Sequence, residues 1–354
     1  MHSQSTPLVV QYLYVHQQDE AFHYPSVRAR SSAEAVAVRY LECALVQAAS
    51  LRLRELDCDL ALATNIADPR QLGRAGAELM RRIEALGVEV LPTEYRHRPG
   101  DDSATYLSSR YVLDAILAAT EGQPADRTTL LTDLDCVWVA PERLFAAVPA
   151  APEIGCIHIR YPADWDVVGF GAVGRTPSAI GELAGRLGGP AQTPPWVGGE
   201  LLAGTPGAMR ELVAACEQID SRLAAAGEVL PTEEQVLTLA GALGHVAFRN
   251  LSPLAWRIQT GPRHEAPPVQ EPLSLALWHL PGEKGLSMRR TARELRRGRT
   301  AGLRRDLAEP ARMARRFNVA GNGLARRVRD DGWIAGTRVF GAARGLFAGT
   351  GPNS

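Results

Sequence analysis

The stretch Thr128-Thr129-Leu130-Leu131-Thr132-Asp133-Leu134-Asp135-Cys136-Val137-Trp138-Val139 decides how the rest of the chain is read. Residues 128–132 are a short, β-prone apolar run that ends on a carboxylate. Alternate side chains of an extended backbone share a face, so Asp133 and Asp135 can address one cation. Carboxylate oxygens suit Mg²⁺ or Mn²⁺ bridging a diphosphate. An Asp-x-Asp is weak by itself, and the chain also contains Asp57-Cys58-Asp59 and Asp164-Trp165-Asp166. Placement separates them. Asp57 precedes its apolar run and Asp164 follows Pro162 in a loop, whereas Asp133 closes a strand of the buried type. Open α/β sheets bind their ligands at that end of their strands.

Working outward, strand-like and helix-like segments alternate. Leu8 to Val15, Asp59 to Thr64 and Val88 to Leu91 read as strands. Ser32 to Glu55, capped by Ser31 or Ser32, Arg70 to Leu86, stopped by Gly87, and Ser103 to Thr120 read as helices. Downstream, Ile154 to Ile159 and Val167 to Val173 are strand-like, and Gly188 to Gly199 is a Gly/Pro-rich loop. Pro206 to Ala226 and Thr232 to Ala242 are helix-like, and Val246 to Ile258 is extended. This alternation predicts an α/β sandwich with a largely parallel sheet. No internal repeat is present.

Composition bounds the answer. The 354 residues are 45% hydrophobic and 22% charged, as in a globular domain, which excludes disorder of the whole chain. Apolar runs break within about ten residues, short of the ~20 needed to cross a bilayer. No basic segment precedes an apolar one at the start, and the five cysteines are odd in number with no C-x-x-C pair. Both point to a cytoplasmic protein with reduced thiols, not to a disulfide framework or zinc site. The formal net charge is zero, from 39 basic and 39 acidic residues. It conceals a division: residues 286–354 hold sixteen arginines and five acids, a charge of +11, and the remainder is −11. Residues 1–285 are therefore read as one α/β domain and 286–354 as an Arg-rich helical tail. Arg289 to Arg316 has helical periodicity, and Phe317 to Phe347 is looser. The tail has two readings of similar weight: packing against the acidic domain, or peripheral contact with an anionic membrane at its inner face, with Trp333, Phe340 and Phe347 in the headgroup layer. No specific nucleic-acid partner is expected.

Three further segments carry chemistry. His279 is followed by Pro281, Gly282, Lys284 and Gly285, and Lys284 is the chain's single lysine. An imidazole can complete the coordination of an ion held by two carboxylates, Gly282 permits close approach of a phosphate, and Lys284 supplies a point charge. Trp196, with a face that can stack on a sugar, precedes Gly198 and Gly199, which allow a ligand against the backbone. Thr232 caps a helix that opens with Glu233-Glu234-Gln235, acids favoured by the helix dipole and also candidates for general base or charge stabiliser.

In order and spacing, Asp133-Leu134-Asp135, the Gly198-Gly199 segment, Thr232-Glu233-Glu234-Gln235 and His279-x-x-Gly282-x-Lys284 are similar to GT-A-fold glycosyltransferases, including the glycogenin-like and bacterial galactosyltransferase-like groups. The resemblance spans most of Leu8 to Gly285. It implies a nucleotide-diphospho-sugar transferase fold, with a mostly parallel central sheet flanked by helices. It implies Mn²⁺ or Mg²⁺ held by Asp133, Asp135 and His279, with Lys284 and Gly282 at the diphosphate and Gly198 and Gly199 beneath the sugar. Arg110 matches a basic residue on the helix before the Asp-x-Asp strand, and the first strand, Tyr12 to His16 with Tyr14 at its centre, would flank the nucleobase. The implied reaction moves a hexosyl group from a nucleotide sugar, a UDP-sugar by preference, to a hydroxyl of a small-molecule or glycan acceptor. Val197 stands where the glycogenin-like groups usually have Asn, and Glu233-Glu234-Gln235 replaces an Asp-rich segment. Inversion, with Glu233 or Glu234 as base, and retention, with Gln235 or Glu234 stabilising an oxocarbenium-like state, both stay open.

A rival reading is a haloacid-dehalogenase-like phosphatase with Asp133 as nucleophile and Asp135 as acid, drawing on Lys284 and Asp330-Asp331. Its first motif normally opens the catalytic core, whereas several strand–helix units precede Asp133 here. A non-enzymatic binder acting through the basic tail is the third reading.

Overall fold

The computed structural model describes residues 5–16, 32–99, 108–167, 176–258, 260 and 271–319. The expected segments 103–107 and 168–173, the later tail with Trp333, Phe340 and Phe347, and Asp330-Asp331 lie outside the described residues.

The chain runs β1 (Leu8–Leu13), α1 (Ala33–Arg52), β2 (Asp59–Thr64), α2 (Gly73–Ala85), β3 (Val88–Pro92), α3 (Tyr111–Thr120), β4 (Thr129–Thr132), β5 (Cys136–Trp138) and α4 (Pro141–Phe145). It continues through β6 (Ile154–Ile159), α5 (Pro177–Arg186), β7 (Trp196–Gly204), α6 (Pro206–Ala225), α7 (Glu233–Ala242), β8 (Phe248–Asn250), β9 (Ala255–Arg257) and β10 (Leu277–His279). Three short helices follow, α8 (Arg289–Arg296), α9 (Ala301–Leu307) and α10 (Pro310–Arg316). Seven strands form the central sheet in the order β3-β2-β1-β4-β7-β6-β8. Only β7 runs against its neighbours β4 and β6, so the sheet is mostly parallel. The α/β architecture with a mostly parallel central sheet flanked by helices is the one expected from the sequence.

Local chemistry explains the boundaries. Ser32 opens α1 by accepting from the Ala35 N–H, which satisfies one of the donors a helix start leaves unpaired. Gly87 ends the α2 region at φ +72°, a left-handed conformation that glycine adopts without steric cost. Thirteen of the twenty residues of α1 are buried, so this helix is covered on more than the face turned to the sheet. The added cover comes from α2 and from α8.

Four expectations are corrected. Asp133-Leu134-Asp135 is a turn between β4 and β5, closed by Cys136 N–H to Asp133 O at 3.3 Å, not an extended strand. The Gly188 to Gly199 loop ends earlier: Trp196 starts β7, a wholly buried nine-residue strand. Pairing with β6 and part of β4 overrides the weak strand preference of Gly198-Gly199. The extended segment at 246–258 divides into β8 and β9, which join different sheets. The third described helix begins at Tyr111, and residues 108–110 before it form a turn. Residues beyond 285 also contribute to the core. Met288, Ala292, Leu295, Leu303, Leu307, Met313, Ala314 and Phe317 belong to the same core as the sheet. Burying each of the Met, Leu and Phe side chains among these stabilises by roughly 1.5–3 kcal/mol.

All five cysteines are buried and unpaired. Among the described residues, no helix is long and apolar enough to cross a membrane.

Candidate metal-binding active site

The site forms where the two sheets meet. Residues β5, β10 and β9 make a three-stranded sheet that starts directly after the Asp133–Asp135 turn. Its register puts His279 opposite Cys136 on one side and Arg257 on the other. Leu280 N–H donates to Asp135 O at 2.9 Å, which ties the turn to the strand that carries the histidine. On the other flank, Gln47 of α1 donates to Thr132 Oγ1 at 2.8 Å and to Asp133 O at 3.1 Å. The turn is thus fixed from both sides by atoms distant in sequence.

The ligand atoms of Asp133, Asp135 and His279 lie within 4.8 Å of one another. His279 Nε2 is 3.2 Å from Asp133 Oδ2 and 3.3 Å from Asp135 Oδ2. The Tyr12 hydroxyl donates to the other oxygen of Asp133. Lys284 Nζ is 2.6 Å from Asp135 Oδ2 and sits over the Tyr40 ring at 5.2 Å. Burial works against the charged form of His279, but the charge of Asp135 and the nearby Asp133 and Glu200 carboxylates outweigh this and hold its pKa well above the usual value. Burial pushes Asp135 up, and Lys284 with His279 more than reverses that, so its carboxyl lies far below the ordinary range. Neither His279 nitrogen nor Asp135 Oδ2 meets hydrogen-bond geometry, although charged partners lie close. Convergent buried atoms with charge contacts but no directional bonds fit a divalent cation, and two carboxylates with one imidazole suit Mg²⁺ or Mn²⁺.

The three candidates at the start of α7 have different surroundings. Gln235 closes a capping box: its side-chain oxygen accepts from Thr232 N–H and from the Thr232 hydroxyl, each at 3.0 Å. Its amide oxygen is therefore engaged in starting the helix. Glu234 accepts from Arg257 on one oxygen and from Trp196 Nε1, at 2.8 Å, on the other. Glu233 is half-buried, and burial, reinforced by the charge of Glu234, pushes its carboxyl up to about 8.

The residues expected at the donor have the following surroundings in the fold. Trp196 is fully buried, with its ring packed in the interior, so it offers no face to a sugar. Gly198 and Gly199 make room for side chains of the protein itself. A Cβ on Gly199 would stand 2.6 Å from Glu233 Oε1, and one on Gly198 would collide with Glu200. Arg110 is buried and turned to α6, donating to Leu230 O at 3.1 Å and pairing with Asp220 at 2.5 Å. Tyr14 packs against Tyr95 and Tyr111 with ring centroids 4.8 and 5.3 Å apart, and accepts from Arg98 at 2.7 Å. Gly282 lies in the single 3₁₀ turn Pro281–Glu283 that leads into Lys284.

Sequence reasoning missed Gln47 and Arg257, and it gave Tyr12 and Glu200 no place beside Asp133 and His279. Tyr12 carried a usable signal, since it lies two residues before Tyr14 on a strand parallel to β4. Arg257 and Glu200 carried none, because only the pairing of β9 with β10 brings them to His279.

No protein-family model matches the chain, and a search of curated proteins finds no match. Solved structures similar to it include mouse xyloside xylosyltransferase 1 in its apo form, at 12% identity and TM-score 0.42, over 77% of this chain and 96% of that one. The apo WbbM bifunctional glycosyltransferase is similar at 14% identity and TM-score 0.44, over 80% of this chain and 47% of that one. The chain thus spans about half the length of the second. Neither likeness says what this chain's site acts on.

Proposed function

We propose that the protein is a metal-dependent glycosyltransferase that moves a hexosyl group from a nucleotide sugar, a UDP-sugar by preference, to a hydroxyl of a small-molecule or glycan acceptor. The observation that carries this reading is the convergence of Asp133, Asp135 and His279, with Lys284 beside them, at the end of a central parallel strand. That is where an α/β sheet binds a phosphorylated ligand.

In this reading Asp133, Asp135 and His279 hold Mn²⁺ or Mg²⁺, which supplies Lewis-acid stabilisation of the diphosphate leaving group when bound. Lys284 adds a positive charge on the same side, and Tyr12 fixes the rotamer of Asp133 through its hydroxyl. With the oxygens of Glu234 and Gln235 engaged, Glu233 is assigned the proton-accepting role towards the acceptor hydroxyl. A carboxyl held up to about 8 takes a proton readily near neutral pH and needs only a modest change in surroundings to release it. The outer face of α8, with exposed Arg290, Arg293 and Arg297 opposite the buried Thr291, Ala292 and Leu295, is proposed as a peripheral contact with anionic lipid.

The test is a thermal-shift series with nucleoside diphosphates and nucleotide sugars, with and without Mn²⁺. A ligand at 100 times its Kd stabilises by about 2.7 kcal/mol, which is readily seen. Metal-dependent stabilisation by one nucleoside diphosphate supports the reading and identifies the base. Absence of any nucleotide effect with either metal sinks it. The phosphatase rival instead requires an Asp133 acyl-phosphate analogue with beryllium fluoride.

A further inference from the structure

Glu200 is nearly inaccessible, with 1% of its surface exposed, and it stands between His279 and an arginine. Arg257 grips it in a fork, Nε to Oε1 and Nη2 to Oε2, both at 3.0 Å. The same Nη2 reaches Glu234, whose second oxygen is held by Trp196. On its other side, Glu200 Oε1 lies 3.6 Å from His279 Nδ1, a buried nitrogen with no hydrogen-bond partner.

The backbone is built to put the carboxylate there. Cys156 pairs with Leu202, yet Ile157 pairs with Gly198, so Gly199, Glu200 and Leu201 bulge from the β6–β7 ladder. Bulges re-aim side chains beside active sites. A Cβ at Gly198 would strike the Glu200 carboxylate, so this side chain folds back over its own strand only because residue 198 is glycine.

An imidazole that presents Nε2 to a cation carries its proton on Nδ1, and that proton needs an acceptor. We propose that Glu200 is a positioning residue that accepts the Nδ1 proton of His279 and, clamped by Arg257, fixes the tautomer and rotation in which Nε2 faces Asp133 and Asp135. This assignment rests on the metal-site reading above and extends it to the groups behind the ligands. A carboxylate present only to neutralise Arg257 would leave the histidine's metal affinity untouched.

The experiment is an electron paramagnetic resonance titration of Mn²⁺ into the donor-free full chain, for wild type, Glu200→Ala, Glu200→Gln, Arg257→Lys and Asp133→Asn. The His279 Nδ1–H proton resonance is followed in parallel with Mg²⁺. Glu200→Ala is expected to weaken Mn²⁺ binding about 10–100-fold and to lose the Nδ1–H resonance. Glu200→Gln, whose amide oxygen still accepts, is expected to retain the resonance and most of the affinity. If Glu200→Ala fails to fold, Arg257→Lys decides: it keeps the charge, loosens the fork, and is expected to weaken Mn²⁺ with the resonance broadened. Wild-type Mn²⁺ affinity in Glu200→Ala or in Arg257→Lys, or equal loss in Glu200→Ala and Glu200→Gln, overturns the assignment. If Asp133→Asn loses Mn²⁺ while the Glu200 variants do not, the metal site stands and the positioning role alone falls. A wild-type chain that binds no Mn²⁺ removes both.

Discussion

Lys284 Nζ lies 2.6 Å from Asp135 Oδ2, and both side chains are buried. This pair makes Asp135 a structural member of the core as well as a candidate ligand. Removing one partner of a buried pair leaves an uncompensated charge, which costs about 3–5 kcal/mol. Asp135→Ala is therefore expected to lower the urea midpoint strongly, and loss of activity in it would not separate metal binding from folding. Asp133 is the better probe because about 30% of its side chain is exposed. Asp133→Asn keeps an acceptor for the Tyr12 hydroxyl, so metal-free stability should change by less than about 1 kcal/mol while Mn²⁺ affinity falls at least about tenfold. An unchanged Mn²⁺ affinity removes Asp133 from the ligand set.

Glu233 predicts a pH dependence of stability. Its folded-state pKa is raised to about 8, mainly by burial and then by Glu234. The folded protein then binds more protons than the unfolded chain between the ordinary carboxylate value and about 8, so stability falls as pH rises through that window. Glu233→Gln removes the titration. Its melting temperature should decline less from pH 5 to pH 8 than that of wild type, and parallel curves would refute the raised pKa. Activity of the wild type should rise through the same window if Glu233 is the proton acceptor.

Gly199→Ala tests the close approach of β7 to α7. The new methyl would stand 2.6 Å from Glu233 Oε1 and 2.8 Å from its Cγ. Either Glu233 moves or the strand does, at about 1–3 kcal/mol. Donor turnover should drop with Glu233 displaced, and full turnover with wild-type stability would show that the two elements have slack.

The packed part of the tail predicts a split between core and surface effects. Phe317 is fully buried in the same core as the sheet, and Phe317→Ala should cost about 3–5 kcal/mol in a denaturant titration. Arg296 and Glu78 pair at 2.6 Å between α8 and α2 but are partly exposed, so Arg296→Ala should cost no more than about 1 kcal/mol. Equal effects would mean that charge, not apolar burial, attaches these helices.

The same packing changes how membrane contact is tested. Deleting 286–354 would strip Met288, Leu295, Leu303 and Phe317 from the core, so poor behaviour of that truncation would say nothing about lipid. Charge reversal of Arg290, Arg293 and Arg297 leaves the buried face of α8 intact. Co-sedimentation with phosphatidylserine vesicles should fall in that variant and with rising salt. Equal pelleting of variant and wild type removes the lipid contact from α8.

Much of the candidate site was legible in one dimension. Asp133, Asp135 and His279 were named from residue type and position, and they converge. What misled was local rule-reading. The two carboxylates meet through a turn and not through the pleat of a strand, and Trp196 reads as a loop aromatic beside two prolines yet begins a buried strand. In the first case a tight turn and a strand bring alternate residues to similar positions, so the inference survived a wrong premise. In the second, sheet pairing outweighed turn propensity, which is weak beside tertiary burial.

The sequence by itself determined the alternation of strands and helices, the −11 and +11 division of charge, and the short list of groups able to hold a cation. Those follow from side-chain chemistry and periodicity, which are local. The tertiary structure alone decided which of them have other work. It gave Glu234 to Arg257 and Trp196 and Arg110 to α6, and it brought Glu200 behind His279. These ionic and hydrogen-bonded partners are set by distances across the fold, between elements tens to more than a hundred residues apart. No spacing along the chain encodes them.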